Sequence, residues 1–462
     1  MTSLIFYGGL RTIGGTIIAV EYKNKRVIFD FGLTYNPAGQ VLDGQVMPRP
    51  SALTRDYLRL GLIPPIDGVY PQDSLPSHSS ILSAQEYEGE TAVLISHLHL
   101  DHMGAMGLID PSIPVYMTKE SQHLYESLHT IGEGAPGERT YQTCIEEQPF
   151  SIGEIIVTPL PVDHDIVGAC AFHIETPEGS ILYSGDVRLH GAHPDRIQSF
   201  VNQSKGKGFD VLIMEGTTLR NEEQLSVEDL TADASNPEDL LTEEKRVPEQ
   251  IAKELNAVKG IGVFNIYHRN IERIQNMILA GKEASRTVVL EIETAEIASN
   301  HLEEANFHIY ESEEIQEEKD NLPLWKRRLL EKYPTVSVQE INKNPEAYLL
   351  QNSYPNALEL LDVNVESGIY IHSNGVPLGS FDPAYDNLHR LLDLIGLEKV
   401  QVDCGGHAIP QHLQYLVDEL DPKILIPLHS FHPERLFPPN GKQFLPKYGS
   451  VYKLLNGDIF EE

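Results

Sequence analysis

The sequence predicts an α/β protein in which a second, smaller α/β unit is inserted into the first. Short apolar runs rich in Val and Ile indicate buried strands, and they occur both early and late in the chain. Side chains that bind metals follow several of these runs, which is typical of a site at the ends of strands. Between the two groups of runs, strands and helices alternate over about 170 residues, which favours a separate parallel sheet.

The strands of the first unit are predicted from five apolar runs, at 27–29, 92–95, 181–183, 211–214 and 424–426. Each run is followed closely by a carboxylate or an imidazole: Asp30, His97, Asp186, Glu215 and His429. Because the ends of neighbouring strands meet at one edge of a sheet, we expect these five side chains to converge.

The inserted unit is predicted from a different pattern. Strand-like runs at 263–266, 287–292 and 369–372 enclose helical spacing at 269–278 and 294–305. The predicted division of the chain is 1–217 for the first part of the main domain, 218–384 for the insertion and 385–462 for the completion of the main domain.

The charge of the chain is strongly acidic, with a net charge of −33 from 35 Lys and Arg against 68 Asp and Glu. Residues 221–250 hold ten acidic and two basic side chains, and 311–320 hold six and one. We interpret both segments as solvated faces. Because phosphates attract cations, this charge does not favour nucleic acid as a partner.

The cellular location of the protein is predicted from its cysteines and from its hydropathy. Three cysteines lie far apart without a CxxC pair, which argues against a disulfide framework or a thiolate zinc site. No apolar run has the length of a membrane span, and the first residues lack the pattern of a signal peptide. We therefore expect a cytoplasmic protein that has no membrane partner.

The segment His97-x-His99-x-Asp101-His102 is the strongest chemical signal in the sequence. Imidazoles and carboxylates are ligands that suit zinc and similar divalent ions. Two histidines separated by one residue of extended chain point to the same side, so both can bind one ion. Asp101 and His102 follow on a tight turn and can face a second ion. A lone histidine after a strand is usually a core residue, but three histidines and an aspartate within six residues favour a metal site.

This segment resembles the HxHxDH signature of the metallo-β-lactamase superfamily. The resemblance implies an αββα sandwich and further metal-site residues at fixed places along the chain. These are His164 as the third histidine of the first ion, Asp186 as the carboxylate that bridges two ions, and Asp30 as the carboxylate that supports the ligands from behind.

Three later motifs resemble the β-CASP group of that superfamily, and its ribonuclease J branch in particular. They are Glu215-Gly-Thr-Thr, Cys404-Gly-Gly-His407 and Pro-Leu-His429-Ser. The resemblance implies that the insertion is a β-CASP α/β domain and that His429 completes the second ion with Asp101, His102 and Asp186. It also implies that His407, oriented by Glu215, donates a proton to the leaving oxygen. The predicted catalytic residues are Asp101, His407 and Glu215.

The function that the resemblance implies is a two-metal-dependent phosphodiester hydrolase, a ribonuclease that cuts single-stranded RNA in the cleft between the two domains. Two divalent ions are expected, with Zn²⁺ preferred and Mn²⁺ as the alternative. DNA is the alternative nucleic acid, and nothing in the sequence supports an oligomer. His372, Ser373 and Asn374 are the predicted substrate-binding residues, because they partly match the phosphate-binding loop of ribonuclease J relatives.

Two other functions stay open at this point. A β-CASP-fold hydrolase of a small molecule or nucleotide is favoured by the acidic charge and by the altered phosphate loops. A non-catalytic scaffold ranks below it, because such relatives lose metal ligands and this sequence has all of them. The sequence does not distinguish an exonuclease, which cleaves from an end of a strand, from an endonuclease, which cleaves within it.

Overall fold

The computed structural model describes residues 1–36, 39, 41–42, 46–219, 243–317 and 321–462. Its strands, in chain order, are β1 (Thr2–Phe6), β2 (Ile18–Tyr22), β3 (Lys25–Phe29), β4 (Glu90–Leu94), β5 (Val115–Thr118), β6 (Gln142–Cys144), β7 (Phe150–Ile152), β8 (Ile155–Pro161), β9 (Cys170–Thr176), β10 (Gly179–Tyr183), β11 (Val211–Glu215), β12 (Gly262–Ile266), β13 (Thr287–Leu290), β14 (His308–Tyr310), β15 (Thr335–Val336), β16 (Tyr348–Gln351), β17 (Ile369–Ser373), β18 (Glu398–Gln401), β19 (Ile424–Leu428), β20 (Lys442–Gln443), β21 (Val451–Leu455) and β22 (Asp458–Glu461).

The α-helices within the described residues are α1 (Leu53–Leu60), α2 (Leu100–Met103), α3 (Lys119–Thr130), α4 (Pro194–Lys207), α5 (Val247–Ala257), α6 (Ile271–Glu283), α7 (Ile292–His301), α8 (Glu313–Glu317), α9 (Leu324–Lys332), α10 (Val338–Lys343), α11 (Pro383–Ile395) and α12 (Pro410–Leu420). None of them has the length and apolar character needed to cross a membrane.

Two mixed sheets form the main body of the molecule. The eight-stranded sheet has the order β22-β21-β1-β2-β3-β4-β5-β6, and the seven-stranded sheet has the order β20-β19-β11-β10-β9-β8-β7. Their apolar inner faces pack together, for example through the rings of Phe29 and Phe172, whose centroids are 5.5 Å apart. Together with the third sheet described next, this packing confirms the predicted fold class, an αββα sandwich with an inserted α/β domain.

The third sheet is formed by the inserted part of the chain, and all its pairings are parallel, as predicted. Its seven strands have the order β15-β14-β13-β16-β12-β17-β18. The predicted division at 384/385 falls inside α11, and β18 extends the third sheet to Gln401. We therefore propose that the chain returns to the sandwich after residue 401.

The elements predicted from periodicity are present, with shifts of a few residues at their boundaries. The strand expected at 287–292 ends at Leu290, and the helix expected at 294–305 runs from Ile292 to His301. Glu291 separates the two elements in an extended conformation, and its carboxylate accepts a hydrogen bond from the Ser353 backbone N–H at 2.7 Å. This long-range contact lies where the strand ends, and the local sequence pattern could not indicate it.

A buried group of charged side chains connects the sandwich to the inserted domain. Arg188 donates to Asp163 (3.3 Å), Glu244 (3.0 Å) and Glu272 (2.7 Å). Arg273, on α6, donates two bonds of 3.0 Å to Glu244. We call these five residues the arginine cluster. Glu244 lies in the acidic segment that we interpreted as solvated, yet its surface is only 1% exposed, so that interpretation is wrong for this residue. Residues 220–242 and 318–320 of the acidic segments lie outside the described residues.

Candidate metal centre

The predicted metal-site residues lie where strands of the two packed sheets end. Asp30 follows β3, His97 follows β4, His164 follows β8, Asp186 follows β10 and His429 follows β19. The first two strands belong to the eight-stranded sheet and the other three to the seven-stranded sheet. The sandwich therefore brings side chains that are up to 399 residues apart in sequence to one edge.

The His97–His102 segment turns from β4 into the short helix α2, which begins after His99. Two glycines allow neighbouring loops to approach this turn. A Cβ atom at Gly14, whose φ is +75°, would lie 2.3 Å from the Cβ of Asp101. A Cβ at Gly32 would lie 1.6 Å from the Asp101 carbonyl oxygen. Both positions therefore require glycine if Asp101 is to keep its place.

Seven side chains form two adjoining groups around Asp186. Nitrogen atoms of His97, His99 and His164 make the first group, and ligand atoms of Asp101, His102 and His429 make the second, with all atoms of each group within 4.8 Å of one another. Asp186 Oδ2 is 3.5 Å from His97 Nε2 and 3.1 Å from His102 Nε2. It is also 3.9 Å from the Nε2 atoms of His164 and His429. This central oxygen is placed to serve both groups.

Several atoms at the centre that could bind a metal are buried and have no hydrogen-bond partner among the described residues. Four of them are His97 Nε2, His99 Nε2, His102 Nε2 and Asp186 Oδ2. Buried polar atoms are nearly always paired in folded proteins, so four unpaired atoms facing one another require an explanation. Imidazole nitrogens and carboxylate oxygens are the ligand types that Zn²⁺ binds. The residues present therefore fit a pair of divalent ions.

The rings of the second group are held from behind by hydrogen bonds. Asp30 Oδ2 is 2.7 Å from His102 Nδ1, and Thr217 Oγ1 is 2.7 Å from His429 Nδ1. Asp30 itself accepts from the Ser96 backbone N–H at 2.7 Å and from the Tyr183 hydroxyl at 2.5 Å. Such contacts fix the tautomer and the orientation of a ligand ring, so the structure places Asp30 where a supporting role requires it.

The electrostatics favour metal-binding protonation states at the imidazoles of the first group and at Asp186. Burial lowers the pKa of His97 and His99, and it lowers the pKa of His164 to about 4, so these imidazoles are neutral near pH 7. Burial alone would raise the pKa of Asp186, but the surrounding histidines, His102 first, hold it well below its usual value. Neutral imidazoles beside an ionised carboxylate are the forms that coordinate metals. At His102, burial alone would lower the pKa, but the carboxylates of Asp186 and Asp30 raise it well above its usual value.

His407 and Glu215 form a pair beside the two groups. His407 Nδ1 is 3.1 and 3.2 Å from the two carboxylate oxygens of Glu215, which also accept from the backbone N–H groups of Val187 and Thr217 at 2.8 and 3.3 Å. Burial alone would lower the pKa of His407, but Glu215, Asp186 and Asp165 raise it to about 10. His407 is therefore an imidazolium near neutral pH, and its side chain keeps 24% of its surface exposed.

The predicted substrate-binding residues lie at the end of β17 in the third sheet, and the contacts found for them are internal. His372 Nε2 contacts the Pro377 carbonyl oxygen at 3.0 Å. Ser373 Oγ donates to the Val402 carbonyl at 2.5 Å and accepts from Arg273 at 2.7 Å. Asn374 Nδ2 donates to the Cys404 carbonyl at 2.8 Å. Their role in binding substrate stays a prediction, and these contacts show what the side chains do in the fold.

Sequence reasoning missed several residues of the centre. Tyr183 is the last residue of a predicted strand and carried no chemical signal. Asp165 stands next to His164, and its Oδ1 atom is 3.4 Å from both His99 Nε2 and His164 Nε2. The adjacent His164-Asp165 pair was the signal that could have indicated it.

Known proteins resemble this chain over almost all of its length. The profile of the beta-lactamase superfamily domain matches residues 62–248. Ribonuclease J of Pyrococcus abyssi is 22% identical over 93% of this chain and 90% of its own length. Ribonuclease J of Mycoplasma genitalium is also 22% identical, over 93% of this chain and 68% of its own length. The crystal structure of a protein of unknown function from Enterococcus faecalis superposes with a TM-score of 0.77 at 28% identity, covering 97% of this chain and 99% of that one.

In its αββα sandwich and in the matched residues 62–248, this chain is similar to the metallo-β-lactamase superfamily. Among proteins of that superfamily, its sequence is ribonuclease J-like.

Proposed function

We propose that this protein is a metal-dependent nuclease that hydrolyses phosphodiester bonds of single-stranded RNA in the cleft between the sandwich and the inserted domain. The observation that carries the proposal is the meeting of unpaired buried histidine and carboxylate atoms around Asp186, next to the His407–Glu215 pair. The similarity to ribonucleases J over 93% of the chain supports RNA as the substrate class.

The proposed ligands are His97, His99 and His164 for one ion and Asp101, His102 and His429 for the other, with Asp186 shared. Two bound divalent ions supply an activated water at neutral pH and compensate the charge that develops on the phosphoryl oxygens. Zn²⁺ suits this ligand set, and Mn²⁺ is the alternative.

His407 is proposed to donate the proton that the leaving oxygen needs. Glu215 favours the protonated form of the ring and holds it by contact with Nδ1, which leaves Nε2 for the substrate. A general acid must lie within hydrogen-bond reach of the leaving group, and a partly exposed imidazolium beside the metal groups meets that requirement. Asp101 is proposed to have a catalytic role as well, because its Oδ2 lies 2.9 Å from His429 Nε2 at the second group.

A second candidate is a hydrolase of small molecules or nucleotides. It is favoured because basic side chains near the centre are already paired within the protein. Arg188, Arg269 and Arg273 are buried beside the centre, and each is engaged in an ion pair within the protein. The chain carries a net charge of −33, so cations that could hold a long phosphate backbone are scarce.

The deciding experiment uses end-labelled RNA with a 5′-monophosphate or a 5′-triphosphate, and single-stranded DNA of the same sequence. The metal-loaded protein is compared with the Asp186→Asn variant and with protein treated with a chelator. Cleavage of RNA that both treatments remove supports the proposal, and the product lengths show whether it starts at an end. If the loaded protein leaves both RNAs intact, the proposal is wrong, and cleavage of small phosphodiesters should be measured instead.

A further inference from the structure

Asp165 is a carboxylate of the centre that the proposed ligand set does not use. It directly follows His164 in the loop after β8. Its Oδ1 atom is buried and has no hydrogen-bond partner among the described residues, so it shares the property that marks the proposed ligand atoms. Such an atom is costly unless something else pairs with it.

Of the two metal groups, the first is the one whose nitrogen atoms lie close to this oxygen. Oδ1 is 3.4 Å from His99 Nε2 and 3.4 Å from His164 Nε2. These separations are longer than an ordinary hydrogen bond of about 2.7–3.2 Å between nitrogen and oxygen. They agree with two ligand atoms bound to one ion, because bonds of about 2.0–2.2 Å at angles of about 90–120° place neighbouring ligand atoms about 2.8–3.8 Å apart.

The surrounding backbone holds Asp165 and His164 in this arrangement. The Gly406 carbonyl oxygen accepts a hydrogen bond from His164 Nδ1, so Nε2 of the ring faces the centre. A Cβ atom at Gly406 would lie 2.7 Å from the Cγ of Asp165, so the glycine lets this loop close against the carboxylate. One short loop therefore fixes both side chains.

We propose that Asp165 is a direct ligand of the first metal ion, in addition to His97, His99, His164 and the shared Asp186. This inference rests on the proposed function, because it assumes the same metal pair. The first ion would then have five ligands, three imidazoles and two carboxylates, whereas a tetrahedral zinc site has four. Such a set suits an ion of higher coordination number and raises the relative affinity for Mn²⁺, which prefers carboxylates.

The test measures metal binding directly. Protein stripped of metal is titrated with Co²⁺ and with Mn²⁺ in competition with a chelator, and the visible spectrum of Co²⁺ is recorded at one equivalent. The variants are Asp165→Asn, which keeps the shape of the side chain, and Asp165→Ser. The matched control is Asp163→Asn, two residues earlier, because that carboxylate pairs with Arg188 instead of facing the centre.

The expected result is that both Asp165 variants bind one of the two ions at least roughly tenfold to a hundredfold more weakly, which is the loss known for groups that merely orient a ligand. The Co²⁺ bands should become stronger in the variants, because absorption rises as the coordination number falls. The Asp163→Asn protein should bind both ions as the wild type does. If the Asp165 variants match the wild type in affinity and in spectrum, the inference is wrong.

Other outcomes separate this inference from the proposed function. If the variants do not fold, the wild-type spectrum at one equivalent decides, because intense tetrahedral bands overturn the inference and weak bands support it. A wild-type protein that binds two ions through Asp165 and cleaves no RNA overturns only the proposed function. A wild-type protein that binds no ion overturns both.

Discussion

Two groups of buried polar side chains lie near each other in this molecule, and they differ in how their atoms are paired. In the arginine cluster, every guanidinium nitrogen of Arg188 and Arg273 has an acceptor within 3.5 Å among the described residues. In the metal centre, the Nε2 atoms of His97, His99 and His102 make no hydrogen bond with the described residues, although carboxylate oxygens lie 3.1–3.5 Å away.

The difference shows which buried charges serve the fold and which await a ligand. Carboxylates and cations that satisfy one another stabilise the contact between the domains, and removal of one partner leaves the other unpaired. A group of unpaired buried imidazole and carboxylate atoms is costly unless a bound group completes it, which is the role we propose for the two ions. Buried carboxylates such as Asp163 and Asp186 therefore have different proposed roles within one molecule.

The strongest test of the comparison is the Asp186→Asn substitution. Because this oxygen is shared by both groups, we expect turnover to fall below detection and the content of bound metal to fall with it. The fold should be kept, since Asn has nearly the same shape. Cleavage assays, metal analysis and circular dichroism check this prediction, and a variant with normal activity would remove Asp186 from the mechanism.

His407→Ala should lower the turnover rate by about 10²–10⁴-fold, the usual contribution of a general acid. Both metals should stay bound, because His407 is not among the proposed ligands. Single-turnover cleavage and metal analysis on the same sample measure the two effects. Loss of metal with the activity would show that His407 belongs to the metal groups, since its Nδ1 lies only 3.8 Å from Asp186 Oδ2.

Glu244→Ala tests the arginine cluster. The substitution leaves Arg188 and Arg273 without their shared carboxylate, and we expect the free energy of unfolding to fall by about 3–5 kcal/mol. Urea denaturation measures this loss. The neighbouring Glu243→Ala is the control, because its partner Lys245 is 75% exposed and such surface pairs contribute about 0–1 kcal/mol. Equal effects of the two substitutions would show that the buried arginine cluster contributes no more to stability than a surface ion pair.

Asp30→Asn should weaken metal affinity or activity by about 10–100-fold. Asn keeps the shape but cannot hold the Nδ1 proton of His102 as a carboxylate does. Competition with a chelator measures the affinity. An unchanged affinity would mean that Ser96 and the packing around His102 orient the ring by themselves.

Glu215→Gln should change the pH dependence more than the rate near neutral pH. The raised pKa of His407 depends on Glu215, so the substitution should lower that pKa. Because the protonated form is the donor, activity is lost as the pH rises through this pKa. The alkaline limb of the rate profile should therefore move to lower pH in the variant. If the alkaline limb keeps its position in the variant, a group other than His407 is responsible for it.

Much of the fold and of the centre could be predicted because chemistry and periodicity coincide in the chain. His97 and Asp186 stand directly after apolar runs, so the position of the strands also gave the position of the side chains. The role of these residues as metal ligands stays a prediction, but the structure brings all seven together.

The remaining features depend on contacts between distant parts of the chain. Arg188 pairs with Glu272, 84 residues later, and no local pattern indicates such a pair. The resemblance suggested a phosphate loop at His372–Asn374, yet the partners of Ser373 and Asn374 are the carbonyl oxygens of Val402 and Cys404. Both carbonyl groups belong to the segment that follows β18, 29 and 30 residues later in the chain, so no local pattern indicates these contacts.

The short distance in sequence between Asp186 and Arg188 has a mechanical consequence. Asp186 is the shared oxygen donor of the centre, and two residues later Arg188 joins the inserted domain through Glu244 and Glu272. A hinge motion that separated the domains here would pull on the segment that carries the shared carboxylate. The relative position of the two domains and the position of the carboxylate that the proposed metal site shares are therefore coupled.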